Sequence, residues 1–139
     1  MLIKFARAIV FSCALLGLAS KVLAQVPIPV RTIELRDAAP VTVKGRLKGP
    51  NQATRDFIVH VKQGATLKVS LQASKASSTH FNILPPDSQT ALFVGEMQGL
   101  SKWQQKIDVT GHYTVRLYLN RAVARRGGTS DYTLKISVL

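Results

Sequence analysis

"HYTVRLYLNRAVARRGGTSDYTLKISVL", His112 to Leu139, decides the fold. In its first part Tyr113, Val115, Leu117 and Leu119 alternate with His112, Thr114, Arg116 and Tyr118. In its last part Tyr132, Leu134, Ile136 and Val138 alternate with Asp131, Thr133, Lys135 and Ser137. A period of two sends every second side chain to one face of an extended strand, the pattern of an antiparallel sheet with one buried and one wet face. A helix would repeat its apolar positions at about 3.6 residues. Between the two strands stands "RAVARRGG", Arg121 to Gly128, with three arginines and almost no acid nearby.

The same period runs upstream. "DFIVHV" (56–61) puts Phe57, Val59 and Val61 on one face, and "TLKVSLQ" (66–72) does so with Leu67, Val69 and Leu71. Shorter strand candidates are "RTIELR" (31–36), "VTVKGRL" (41–47), "HFNIL" (80–84), "ALFVGE" (91–96) and "KWQQKIDV" (102–109). Gly49-Pro50, Gly64, Pro85-Pro86, Gly99 and Gly111 punctuate them. "QVPIPV" (25–30) is a lead-in, since Pro27 and Pro29 cannot donate to a ladder. With about nine strands and no long helix, the chain is expected to be all-β. The architecture this implies is a single-domain antiparallel β-sandwich, jelly-roll-like, with the last two long strands central. There is no internal repeat and no low-complexity tract.

Residues 1–24 are expected to be a signal peptide. They have a basic start at Lys4 and Arg7, an apolar run from Ala8 to Ala19, and Val22-Leu23-Ala24 before Gln25, which suits cleavage after Ala24. The run is short for a transmembrane span, and Lys21 interrupts its far end. "VFSC" would serve as a lipobox acylated at Cys13, but the hydrophobic region before it is very short, which favours a soluble, periplasmic or secreted product. The remaining 25–139 are enough for one domain with one core. The only cysteine, Cys13, leaves with the signal, so the domain must hold together without disulfides. Removing Lys4, Arg7 and Lys21 takes the 19 basic residues to 16 against seven acids, a net +9. Such a charge speaks of partners and solubility rather than fold, and favours an acidic protein cleft or a polyanion.

Candidate chemistry is sparse. His60, His80 and His112 are far apart in sequence and have no mature cysteine to help, so a metal site is not expected. No G-x-S-x-G elbow or phosphate-cradling glycine loop appears. The acids Glu34, Asp37, Asp56, Asp87, Glu96, Asp108 and Asp131 are scattered singly rather than paired for acid–base work. The chain therefore does not read as an enzyme, and no catalytic residue or cofactor is assigned. Trp103 is read as a sheet-face or core aromatic, with a sugar-stacking platform as the alternative. The aromatics are not interleaved with the basic residues, which argues against a nucleic-acid surface.

If Asn120 caps a short helix and Gly127 ends it, Arg121 and Arg125 share one helical face. If the strand simply continues, the period of two again puts them on one side. Either way Arg126 points elsewhere, and Ala122 and Ala124 are too small to hide the guanidinium groups. Two planar forks aimed together suit bidentate binding of carboxylate, phosphate or sulfate. In the competing structural arrangement, one arginine pairs within the fold, with Asp131 or Glu96.

The segment "GHYTVRLYLNRAVARRGGTSDYTLKISV" (111–138) resembles the C-terminal part of the periplasmic inhibitors of g-type (goose-type) lysozyme. The matching positions are Tyr113 and Arg116 of a strand, Arg121, Ala124 and Arg125 of an arginine loop, and Tyr132 of a final strand. "GRLKGPNQATRDFIVHVKQGATLKVSLQ" (45–72) resembles the family's upstream run, so that the two segments cover about half of the mature chain. The resemblance implies a small β-sandwich whose arginine loop, together with the loop after Lys48-Gly49, enters the lysozyme cleft and occupies its catalytic acids. It implies that Arg121 and Arg125 make those contacts, with Arg126, Pro50 and Asn51 beside them. The family's tyrosine after Lys-Gly is replaced here by Pro50, followed by Asn51, so an aromatic anchor is missing. The implied partner is g-type lysozyme, which inhibition would require to be engaged at its acidic cleft. The alternative is a non-inhibitory binding module for an anionic glycan or other cell-envelope polymer.

Overall fold

The computed structural model describes residues 25–36 and 38–139; the expected signal peptide, with Cys13, and Asp37 lie outside the described residues. The strands in chain order are β1 Val30–Ile33, β2 Val41–Lys48, β3 Thr54–Val61, β4 Thr66–Ala73, β5 Thr79–Leu84, β6 Phe93–Val94, β7 Lys102–Lys106, β8 Gly111–Leu119 and β9 Thr129–Val138. Two short helices, α1 Gly95–Gln98 and α2 Arg121–Arg125, and a 3-10 turn at Ala76–Ser78 complete the order.

The strands form two sheets, β1-β3-β8-β5-β6 and β2-β9-β4-β7, facing each other as a sandwich. Every pairing is antiparallel except that of β1, which runs parallel to β3 with Val30 opposite Asp56. The two long strands of the opening segment lie inside their sheets, β8 between β3 and β5 and β9 between β2 and β4. Alternation is obeyed: Tyr113, Val115, Leu117 and Leu119 are buried, as are Leu67, Val69, Leu71, Phe57, Val59 and Val61. Val138, at the end of β9, is only half-buried. Each fully buried Leu, Ile or Phe contributes about 1.5–3 kcal/mol to this single core.

The candidate at 91–96 shortens to the two-residue β6 and then turns into α1. Gly95 explains the turn, because a Cβ there would lie 2.6 Å from the Phe81 carbonyl oxygen. Trp103, on edge strand β7, is half-buried with its ring 6.0 Å from Phe93, whose ring is 5.1 Å from Phe81. This aromatic row closes one side of the sandwich. Trp103 thus acts mainly as an edge seal.

All but one of the connections cross from one sheet to the other, the exception being β5 to β6. The loops therefore gather at the two ends of the sandwich. One end carries the connections 49–53, 74–78, 95–101 and 120–128, and it holds the candidate site.

Candidate functional site: an arginine helix braced by two turns

The connection after β8 is a helix, not a continued strand. Asn120 has extended-type backbone angles, and its side-chain Oδ1 accepts the Val123 N–H at 3.0 Å, an N-cap. Gly127, at φ 72°, supplies the left-handed residue that ends the helix, and its N–H donates to the Ala124 carbonyl at 3.0 Å. Arg121 and Arg125 therefore stand four residues apart on one face, with Arg126 about 100° round from Arg125. All three are exposed.

The helix rests on its neighbours through Ala124, its one buried residue. Gly49 lies directly beneath: a Cβ at that position would be 2.0 Å from the Ala124 carbonyl oxygen. The Gly49 N–H donates to the Gly128 carbonyl at 2.9 Å, and Leu119 N–H to Ala53 O at 2.9 Å. The turn after β2 is itself closed by the reciprocal bonds Lys48 N–H to Gln52 O at 3.0 Å and Gln52 N–H to Lys48 O at 2.9 Å. Pro50 and Asn51 are exposed at its tip. A third connection, 74–78, braces the other side: Asn120 N–H donates to Ser78 O at 2.7 Å, and Lys75 N–H to the Ser130 hydroxyl at 3.3 Å. Beneath it the buried Thr79 and Ser130 hydroxyls are hydrogen-bonded at 2.8 Å. All five site residues read from the sequence thus lie on one end, on two adjacent connections tied by backbone hydrogen bonds.

Neither acid weighed as an internal partner takes a loop arginine. Asp131 is held by Arg46, its opposite neighbour on β2, at 2.6 and 3.2 Å. That hydrogen bond, with the arginine's charge, holds the Asp131 carboxyl below its ordinary value and raises Arg46. Asp56 receives both forks of Arg116 at 2.8 Å, a bond that raises the Arg116 pKa. Among the described residues these are the ion pairs, and neither includes Arg121, Arg125 or Arg126.

Glu96 lines the same groove as Arg121, a depression of about 390 Å³ with Thr54, Asn82, Arg116 and Tyr118 on its floor. The Tyr118 hydroxyl donates to Asn82 Oδ1 at 3.2 Å and reaches Glu96 Oε2 at 3.5 Å. Burial, reinforced by the Glu96 charge, pushes its pKa up. The groove was not legible in the sequence because it depends on strands distant in the chain; the only local signal was that Tyr118 and Arg116 fall on the polar face of β8.

The histidines lie on the outer face of the five-stranded sheet. His60 and His112 are opposite each other with ring centroids 5.1 Å apart, whereas His80 sits against Tyr118. Among the described residues no three potential ligands of the His, Cys, Asp or Glu type come together to hold a metal. Nor is any helix there long and apolar enough to cross a membrane. The outer face of the other sheet is basic: Lys44, Lys48, Lys68, Lys102, Lys106 and Lys135 are spread over its four strands, with Asp131 the one acid among them.

By sequence, no family model and no curated protein matches the chain. By structure, it superposes on Aeromonas hydrophila PliG, a periplasmic inhibitor of g-type lysozyme, with a TM-score of 0.70 and 26% identity over 81% of this chain and 97% of that one. The chain has the PliG fold. A PliG mutant from Escherichia coli superposes with a TM-score of 0.59 at 19% identity, over 81% of this chain and 100% of that one. The pre-peptidase C-terminal domain of a Bacillus anthracis collagenase shares the sandwich too, with a TM-score of 0.55 at 19% identity over 81% and 97% of the two chains. That likeness is one of fold alone. The PliG proteins are inhibitors, and the superposition on the Aeromonas hydrophila protein agrees with the family resemblance of the sequence.

Proposed function

We propose that the chain is a periplasmic inhibitor of g-type lysozyme that acts by placing α2 and the Gly49–Ala53 turn in the enzyme's substrate cleft. The observation that carries this reading is the pair Arg121 and Arg125: exposed, on one helical face, unpaired among the described residues, and held on a braced platform. A cleft that cleaves glycosidic bonds carries carboxylates and accepts an extended sugar chain, so a protruding pair of guanidinium forks complements it in charge and shape. Rigid presentation matters because ordering a loop on binding costs affinity. Arg126 and Asn51 extend the contact around the pair. Pro50 takes the place of an aromatic anchor, so more of the binding energy rests on the arginines.

The test is a lysis assay of residues 25–139 against g-type, c-type and i-type lysozymes acting on cell walls. Inhibition of the g-type enzyme is expected, and the double variant Arg121→Ala/Arg125→Ala is expected to lose it by a factor of roughly 30 or more, the scale of a binding hot spot of about 2 kcal/mol. Because neither arginine bonds within the fold, the variant should keep the melting temperature of the parent. Undiminished inhibition would sink the mechanism.

The basic face of the four-stranded sheet supports a second reading, a binding module for an anionic glycan or envelope polymer. Soluble peptidoglycan fragments distinguish the two: they compete for lysozyme under the first reading and for this chain under the second. Both readings predict sensitivity to salt, which therefore does not discriminate.

A further inference from the structure

Tyr132 is a fixed point of the sequence pattern that the arginine end does not use. It is the fourth residue of β9, is buried, and packs edge-on against Phe57 with ring centroids 6.4 Å apart. Its ring crosses beneath β2 at Gly45, its opposite neighbour: a Cβ on Gly45 would lie 2.5 Å from the Tyr132 hydroxyl oxygen. The missing side chain is what lets the hydroxyl through to the open edge of the sandwich. There a cleft of about 280 Å³ lies between β2, the edge of one sheet, and β1 and β3 of the other.

The cleft is lined by cations. Arg31 from β1 and Arg55 from β3 contribute to it, along with Tyr132, while Lys44 of β2 borders it from the outer face of its sheet. Its one acid is Asp56, whose two oxygens are already taken by Arg116 at 2.8 Å each. Arg55 Nε is buried and has no hydrogen-bond partner. A buried charged donor left unpaired is costly, and native structures rarely leave one without a water or an ion. The charges of Arg55 and Arg31 both act on the Tyr132 hydroxyl, partly opposing the upward push of burial on its pKa.

We propose that Arg31, Arg55 and Tyr132 form a binding site for a tetrahedral oxyanion, a phosphate or phosphate monoester. The donors come from three strands on both sheets and are not arranged as one planar fork. A tetrahedral anion offers acceptors in several directions, whereas a carboxylate offers two in one plane. None of the cleft residues belongs to α2 or to the Gly49–Ala53 turn. The site therefore stands independently of the inhibitor reading.

The experiment follows the arginine Nε–Hε cross-peaks of 15N-labelled residues 25–139 during titration with inorganic phosphate, glycerol phosphate or acetate, with chloride holding ionic strength constant. A saturable shift of the Arg55 peak with either phosphate compound is expected, and the tighter of the two distinguishes a free ion from a headgroup-like monoester. Tyr132→Phe keeps the ring and should weaken binding roughly tenfold, as loss of one hydrogen bond to a charged group does. Arg31→Gln, on the exposed edge strand, should weaken it similarly without threatening the fold. Arg121→Ala/Arg125→Ala should leave it unchanged. A shift that never saturates would overturn the proposal, the orphan donor then being served by water. So would equal affinity for acetate, or undiminished affinity in both Tyr132→Phe and Arg31→Gln.

Discussion

Gly49→Ala changes no exposed residue, yet it should disable the arginine end. The added Cβ would meet three backbone atoms of Ala124: the carbonyl oxygen at 2.0 Å, Cα at 2.4 Å and the carbonyl carbon at 2.5 Å. Ordinary carbon contacts lie at about 3.5–4.0 Å, so turn and helix must part by roughly 1 Å or more. No flexible side chain can absorb that displacement, because the clash is with helix backbone. Overpacking of this kind costs about 1–3 kcal/mol. Stretching the Gly49 N–H···O Gly128 bond, now 2.9 Å, adds about 1 kcal/mol. The sum, about 2–4 kcal/mol, corresponds for a domain of this size to a fall in melting temperature on the order of 10 °C. Circular dichroism melts supply the first readout and the lysis assay the second, at a temperature where the variant is still folded. Stability and inhibition should fall together, whereas the double arginine variant loses inhibition alone. A Gly49→Ala protein that melts within a degree or two of the parent would refute the close packing of turn on helix. One that is destabilised but inhibits fully would refute the claim that this packing aims the arginines.

Asn120→Ala removes the N-cap of α2 and should cost about 1 kcal/mol, read as a lower urea midpoint, with weaker inhibition as the helix frays. Ser130→Ala takes a partner from the buried Thr79 hydroxyl and from the Lys75 N–H, and should cost about 1–3 kcal/mol in the same assay. Asp131→Asn tests the pair with Arg46. The Asp131 carboxyl is lowered in the fold, so its contribution is present above the ordinary value of 3.8 and is lost as pH falls through the depressed one. The difference in melting temperature between parent and Asp131→Asn should be constant near neutral pH and vanish in acid. Both partners are exposed, which makes the effect small and sensitive to salt.

The sandwich was legible because its longest strands follow the period of two without exception. Tyr113 to Leu119 and Leu67 to Leu71 could lie only one way up, and all the apolar members are buried. Strand ends were less legible: the 91–96 candidate yields a two-residue strand because Gly95 must approach the Phe81 backbone, a contact set by β5 and invisible locally. The parallel pairing of β1 is likewise a matter of topology, since its four residues read equally well in either direction. At the site, the capping pattern Asn120 to Gly127 carried the helix as one of two open choices, and its geometry decided between them. That the Lys48-Gly49 turn would sit under Ala124 was legible only through resemblance, because it depends on β2 pairing with β9. The cleft at Tyr132 had no sequence signal beyond a tyrosine facing a glycine in a register not yet known.

The distribution of charge connects these findings. Asp56 and Asp131, the two carboxylates engaged in the described ion pairs, are each matched to an arginine on the neighbouring strand, Arg116 and Arg46. Opposite charges facing each other across two strands add modestly to the stability of a sheet. The same rule applied to α2 would have placed an acid at the position of Ala122 or on the Gly49–Ala53 turn, and none is there. Arg121, Arg125 and Arg126 instead repel one another within a single turn and a half of helix, where like charges four residues apart are destabilising by a few tenths of a kcal/mol. The sequence follows local rules along its strands and departs from them at this exposed helix, as the reading of α2 as a binding surface requires. The departure also fixes a sign: replacing Arg121 and Arg125 by alanine relieves repulsion and raises helix propensity, so it should leave stability equal or slightly higher while removing the charge that a lysozyme cleft would bind.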